Sequence, residues 1–301
     1  NNSNHRISLV NVFGQYLFSA CKLDDSARNS GVNLAYGALC RLFCRRYPKY
    51  PTKLLGHFYH MLRAGLLNAD KSIAWTIFSN AYGLFALDLP GAAVLLPYYL
   101  TVGTELLLHG TPPARAAQNG KKKLVSMFAS AVCYPSHYAA LSVPSLLGDG
   151  RPFAAADARE LLHTTLIAAL FVPQLDTECK TMVLWTLYVA ACEEFAHYRG
   201  EHVRKLVTSV LTTAAKDDAA VTRAAVGVLQ QLAAYARDMP ADLANDVVLA
   251  LCRLACTAPD AITPYVYLTL VDWVVADIPL AAFQASTLVE LFNVLERGLL
   301  S

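Results

Sequence analysis

Turn-forming residues break this 301-residue chain at short intervals, and nearly every segment between the breaks carries apolar residues at helical spacing. The breaks include YPKYP (47–51), LNAD (67–70), DLPG (88–91), HGTPP (109–113), VPQLD (172–176), YRGE (198–201), DMPAD (238–242) and TAPD (257–260). Pro, Gly and Asp at such places end one helix and start the next. In EHVRKLVTSVLTTAA, Val203, Leu206, Val207, Val210, Leu211 and Ala214 form one apolar stripe, with Arg204, Lys205 and Thr212 turned away. Val221, Ala225, Val228, Leu229, Leu232 and Tyr235 repeat the pattern behind an acidic first turn. No strand alternation lasts long enough to compete.

The spacing predicts roughly fourteen helices, or about seven pairs of about 43 residues, which matches HEAT and armadillo repeats. The expected fold is therefore all-α: a HEAT/armadillo-like α-solenoid, one continuous segment over 1–301, in which neighbouring hairpins complete each other's core. Composition agrees. Hydrophobic residues make up 55% and charged residues 16%, against about 45–50% and about 25% in ordinary globular chains. A spanning helix needs roughly 20 apolar residues. The run 89–104 is shorter and holds Pro90 and Pro97, and the longer run 124–148 holds Pro135, Ser136, His137 and Pro144. No integral membrane segment is expected.

FALDLPGAAVLLPYYL (85–100) reads as a buried corner. Pro90 suits the first turn of a following helix, and Val94, Leu95, Tyr98 and Leu100 are expected to pack inward. Pro97 either kinks that helix or starts it. The segments 109–122 and 147–157 read as looser connections. Eight cysteines in apolar helical contexts read as buried thiols of a cytoplasmic protein, not a disulfide framework. The start, NNSNHRISLV, lacks a signal peptide and a Met, and is expected to lie inside a larger protein.

Net charge is +2, but the basic residues cluster. Arg41, Arg45, Arg46, Lys49 and Lys53 form one run, and Lys121, Lys122 and Lys123 another. Neither alternates basic with aromatic residues, so nucleic acid is not an expected partner. Both are candidate surfaces for a protein partner, the first for an acidic one.

Cys40, Cys44, His57 and His60 approach a two-Cys, two-His zinc pattern, but the histidines stand closer than the usual three to five intervening residues, and the cysteines sit on a helix-like segment. Glu160/His163 and Glu194/His197 repeat the Glu-x-x-His spacing of di-iron helical bundles, where Glu105 and Glu178 are the candidates for the further carboxylates. Glu178 precedes Glu194 on one helix, so the set is incomplete, and the two pairs are expected to face solvent. No nucleophile elbow, phosphate loop or dinucleotide fingerprint occurs. Trp75, Trp185 and Trp273 are expected as core anchors. No catalytic residue, metal or cofactor is expected.

Several segments in order resemble the α subunits of Ral GTPase-activating proteins, relatives of tuberin. HFYHMLRAGLLNADKSI (57–73) is similar to a helix pair ahead of that family's LPG corner, and LFALDLPGAAVLLPYYL (84–100) to the corner itself. LVSMFASAVCYPSHYAALSVPSL (124–146), TLYVAACEEFAHYRGEH (186–202) and LTLVDWVVADIP (268–279) continue the series. The resemblance implies part of a large cytoplasmic GTPase activator, paired with a RalGAP β subunit and acting on the small GTPase Ral through a carboxy-terminal domain of mixed α/β fold. That GAP domain is not expected in this chain, so no catalytic residue is carried over, and no metal role attaches to CEEFAH. What remains is a non-catalytic scaffold that supports subunit assembly or positions the GAP domain, and that alone leaves GTP hydrolysis by Ral at its intrinsic rate. The alternatives are a helical-repeat scaffold of another signalling or trafficking assembly, and a metal-dependent helical enzyme built on the Glu-x-x-His pairs.

Overall fold

The computed structural model of the chain describes residues 3–23, 29–45, 50–114, 116, 119–144, 151–216, 218–276 and 283–300. Among them helix dominates, in two compact units, Asn1–Thr165 and Leu166–Ser301. The first holds α1 (Ser3–Ala20), α2 (Asn29–Phe43), α3 (Thr52–Leu66), α4 (Lys71–Ala81), α5 (Leu96–Leu108), α6 (Gly120–Ala131) and the single turn α7 (Tyr134–His137). α8 (Ala155–Leu170) runs across the boundary. The second holds α9 (Thr177–His197), α10 (Val203–Lys216), α11 (Ala219–Leu232), α12 (Ala241–Thr257), α13 (Thr263–Val275) and α14 (Ala285–Leu300). The chain is all-α as expected, apart from one antiparallel pair, β1 (Ser142–Val143) with β2 (Phe153–Ala154). Two-residue strands are too short to show alternation in sequence.

In the first unit α2, α4 and α6 lie side by side, with α3 and α5 packed against them. The core side of α3 is Leu55, Phe58, Tyr59, Leu62 and Leu66, all buried, with Phe58 stacked on Phe43 of α2 at 4.3 Å.

The corner at 84–100 consists of two 3-10 turns, Leu84–Leu87 and Ala92–Leu95. Asp88 (φ 48°) and Gly91 (φ 78°) take left-handed backbone between them, the conformation glycine adopts without steric cost. The Tyr138 hydroxyl donates to Asp88 Oδ1 at 3.1 Å, and the Tyr59 hydroxyl to the Pro90 carbonyl at 2.9 Å. Pro90 thus belongs to the corner itself, not to the first turn of a helix. Pro97 stands in the first turn of α5, where its missing N–H leaves no bond unmade. Leu95, Tyr98 and Leu100 are buried as expected, but Val94 is 45% exposed. A 3-10 turn repeats every three residues, so Ala92 and Leu95 share the inner side and Val94 is carried out.

Tyr99 is the centre of this region. Phe78 and Phe85 meet its ring edge-on at 5.2 and 5.3 Å, and Phe85 meets Tyr134, which stacks on Tyr138 at 4.2 Å. The Tyr99 hydroxyl is buried without a hydrogen-bond partner among the described residues, and burial holds its pKa far above the ordinary phenol range.

In the second unit α9, α11 and α13 form one row and α10, α12 and α14 the other. Val203, Leu206, Val207, Val210 and Ala214 of α10 are buried, as their spacing predicts. The buried Trp273 indole donates to the Leu229 carbonyl in the last turn of α11 at 2.8 Å. Asp218 caps α11, accepting the amides of Val221 and Ala220 and the hydroxyl of Thr177, which together hold its carboxyl below the usual range.

Leaving a buried donor unsatisfied carries a desolvation penalty, so Tyr99→Phe is expected to raise the unfolding free energy by about 1 kcal/mol in urea melts. A destabilisation of that size would show that the hydroxyl is bonded after all.

Candidate functional site

The two basic runs behave differently. Arg41 is exposed near the end of α2, Arg45 is exposed just beyond it with its Nε donating to the Arg41 carbonyl at 2.6 Å, and Lys53 is exposed in the first turn of α3. Arg46 and Lys49 lie outside the described residues. Lys121, Lys122 and Lys123 stand in the first turn of α6, where three cations oppose that helix's own dipole. Neighbouring helix ends supply the compensation. Lys121 Nζ donates to the Leu107 carbonyl in the last turn of α5 at 2.9 Å, and Lys123 Nζ to the Ser79 carbonyl in the last turn of α4 at 2.6 Å. Lys123 also lies 5.8 Å from the centre of the Tyr82 ring. These ammoniums satisfy terminal carbonyls that have no partner within their own helices.

Between α2 and α4 lies a trough of about 400 Å³, with polar side chains along both helices and Leu34, Trp75, Pro113, Ala114 and Ala116 completing its lining. Asn33, Gly37 and Arg41 recur every four residues along α2, facing Ser72, Thr76 and Asn80 at the same interval on α4. Asn33 donates to Ser72 Oγ at 2.8 Å and accepts from Thr76 Oγ1 at 3.1 Å, while Asn80 donates to the Thr76 carbonyl at 2.8 Å. Asp70 caps α4, its carboxylate taking both the amide and the hydroxyl of Ser72. The spacing within each segment was present in the sequence, but only folding sets the two stripes opposite each other.

The sulfur- and nitrogen-bearing candidates fall into separate settings. Cys40 is fully buried and Cys44 partly so; burial raises the Cys40 thiol well above its ordinary range and pushes that of Cys44 up to about 12. His57 and His60 are exposed and line a groove of about 410 Å³ with Phe18 and Met61. Among the described residues these four do not gather around one point.

The two Glu-x-x-His pairs are not solvent-facing as expected. Glu160 and His197 are exposed, whereas His163 and Glu194 are buried. Residues three apart differ by about 60° around a helix, so each pair straddles the edge of the buried face. Glu194 Oε2 accepts the His202 amide at 3.1 Å, and its main-chain carbonyl takes the amides of Tyr198 and Gly200, tying down the turn after α9.

The three tryptophans also divide. Trp75 and Trp273 are buried, but Trp185 is 41% exposed, beside Val189 on the outer side of α9. Periodicity did not reveal this, because α9 is apolar around most of its circumference. On the outer side of α13, Leu268, Val271 and Val275 are exposed, as are Val289 and Phe292 on α14. Gly227 of α11 lies against the Trp185 ring.

Because Lys123 makes both a charge-assisted hydrogen bond and a ring contact, Lys123→Met is expected to lower stability by about 1–2 kcal/mol. Exposed Lys53→Met is expected to change it by less than about 0.5 kcal/mol. Chemical denaturation of both variants checks the contrast.

No family model matches the sequence, and no solved structure matches. Among curated proteins, the human Ral GTPase-activating protein subunit alpha-1 is 27% identical over 234 residues, 75% of this chain. The rat protein of the same name is 27% identical over 235 residues. A Rap-GAP domain-containing protein of Dictyostelium discoideum is 23% identical over 229 residues, 67% of this chain and 14% of that protein. The chain spans only 11% of the length of the human and rat proteins it matches. The sequence is thus related, over three quarters of its length, to a region of Ral GTPase-activating protein α subunits.

Proposed function

We propose that this chain is a non-catalytic scaffold region of a Ral GTPase-activating protein complex, built as a HEAT/armadillo-like α-solenoid. It supports subunit assembly and the positioning of a GAP domain that stimulates GTP hydrolysis by Ral. The similarity to Ral GTPase-activating protein subunit alpha-1 supports the setting. So does the row arrangement inside each unit, in which every second helix lies beside the next, as in helical repeats whose neighbours complete one core.

The observation that carries the reading is the set of apolar ridges left exposed in the second unit: Trp185 and Val189, then Leu268, Val271 and Val275. Apolar ridges left exposed on helices are suited to contact with another macromolecule, and tryptophan is among the residues that dominate such contacts. The exposed cations Arg41, Arg45 and Lys53 on the first unit offer a second, electrostatic surface, suited to steering an acidic partner into place. Among the described residues no helix is long and apolar enough to cross a membrane. A cytoplasmic complex with a RalGAP β subunit fits this reading, with Ral reached through the GAP domain.

Size-exclusion chromatography with light scattering, on the chain alone and mixed with the β subunit of a Ral GTPase-activating protein, tests the proposal. A co-eluting complex with the mass of both chains is expected, weakened at least about tenfold by Trp185→Glu with Val271→Glu. Separate peaks at micromolar concentrations of both chains would contradict an assembly role.

A further inference from the structure

We propose that Asn119 is a site of covalent self-modification: its side-chain amide is lost to attack by the next backbone nitrogen and replaced by a carboxylate at the start of α6, at a rate set by how often that first turn opens. Asn119 is the only asparagine of the chain followed by glycine. A neighbour without a side chain leaves its own nitrogen unhindered for bonding to the Asn119 amide carbon. Packing fixes that glycine, since a side chain on Gly120 would stand 3.0 Å from the Trp75 ring and 3.2 Å from Pro112. Asn119 itself is exposed and occupies the N-cap position of α6 without a side-chain capping bond.

The chemistry needs only the chain and water. The Gly120 nitrogen bonds to Asn119 Cγ, its proton passes to the departing amide, and ammonia leaves. Water then opens the cyclic imide. Breaking the new Cγ–N bond leaves an ordinary aspartate. Breaking the original peptide bond leaves an isoaspartate, with the main chain running through Cγ and one carbon longer. Folding holds the first step back. The Gly120 amide donates to the Ala116 carbonyl at 2.7 Å, and the Asn119 carbonyl accepts the Lys123 amide at 3.0 Å. Ring closure breaks both bonds, because Asn119 ψ must turn far from its 5°. The same turn is pinned from outside by Lys121 on the Leu107 carbonyl and Lys123 on the Ser79 carbonyl. A helix end opens at a lower free energy than the whole domain unfolds, so the folded chain reacts, but slowly.

The product supplies what this helix start lacks. α6 begins with Lys121, Lys122 and Lys123 and has no acid in its first turn, against its own dipole. Aspartate caps a helix as well as asparagine does and brings the missing negative charge. Isoaspartate brings the charge too, but its extra carbon lies just ahead of Lys121 and Lys123 and draws both from their carbonyls. The two products therefore act in opposite directions on the packing of α6 against α4 and α5. This inference stands on α6 alone and does not require the scaffold reading above.

The test is peptide mapping by mass spectrometry of the 301-residue chain aged at neutral pH, beside the same chain aged in urea, where no turn protects Asn119. Conversion at Asn119 ahead of every other asparagine is expected, at least about tenfold slower in the folded chain than in urea. Lys123→Met loosens the first turn and is expected to speed the folded-state reaction about fivefold or more. Lys121→Met is the second variant should that chain not fold. Lys53→Met, which lies outside the turn, should leave the rate within about twofold. Asn119→Asp is expected to unfold at a higher temperature than the parent chain. A folded chain that keeps Asn119 intact while the urea sample converts completely overturns the proposal. So do equal rates in the two samples, or a rate that neither lysine variant changes, because opening of the turn would then not control the step. An Asn119→Asp chain that unfolds at a lower temperature overturns the part assigned to the carboxylate.

Discussion

Burial of more than one face on central helices such as α5 is the constraint from which the rest follows. In α5, Leu96, Pro97, Tyr98, Tyr99, Leu100, Val102, Gly103, Leu106 and Leu107 are all buried, which covers almost the whole circumference. Such a helix gains little from folding alone, since isolated short helices are marginal in water. It becomes stable when neighbours close on it from several sides. Around Tyr99 this is done by rings from α4 and the 3-10 turn at 84–87, the latter backed by Tyr134 of α7. The burial also strands a hydroxyl, a polar group held in place by the ring that carries it.

Close packing of this kind crowds helix ends, and the ends set the second requirement. The last carbonyls of α4 and α5 receive Lys123 and Lys121, so a lysine run that reads as a surface charge patch also ties three helices together. Asp70, Asp176 and Asp218 do the corresponding work at helix starts. Charged residues are scarce in this chain, and many of those present stand at such ends. Long helix faces are then left with few charges to cover them, which is why Trp185, Leu268, Val271 and Val275 meet solvent.

The helices themselves were legible, because one-sided stripes such as Val203 to Ala214 and terminators such as DLPG and YRGE act locally. Arg199 and Gly200 indeed take left-handed backbone after α9. What sequence did not disclose depends on pairs of helices. Glu194 and Trp185 share α9, an apolar helix with no clear inner side, yet the carboxylate is buried and the indole is not. The trough joins Asn33 to Ser72 across 39 residues, and neither segment signals the other. Val94 went astray for a local reason, a 3-10 turn where an α-helix was expected. The resemblance to Ral GTPase activators was legible from ordered segments, and the comparisons with curated proteins agree with it.

We propose that the outer faces of α9 and α13 are contact surfaces. Hydrogen–deuterium exchange of the chain, alone and with the β subunit of a Ral GTPase-activating protein, tests it most directly. Slowed exchange over 182–192 and 265–275 is expected in the mixture, with the other row, α10, α12 and α14, unchanged. Unchanged exchange over both segments in a mixture that nonetheless forms a complex would contradict it.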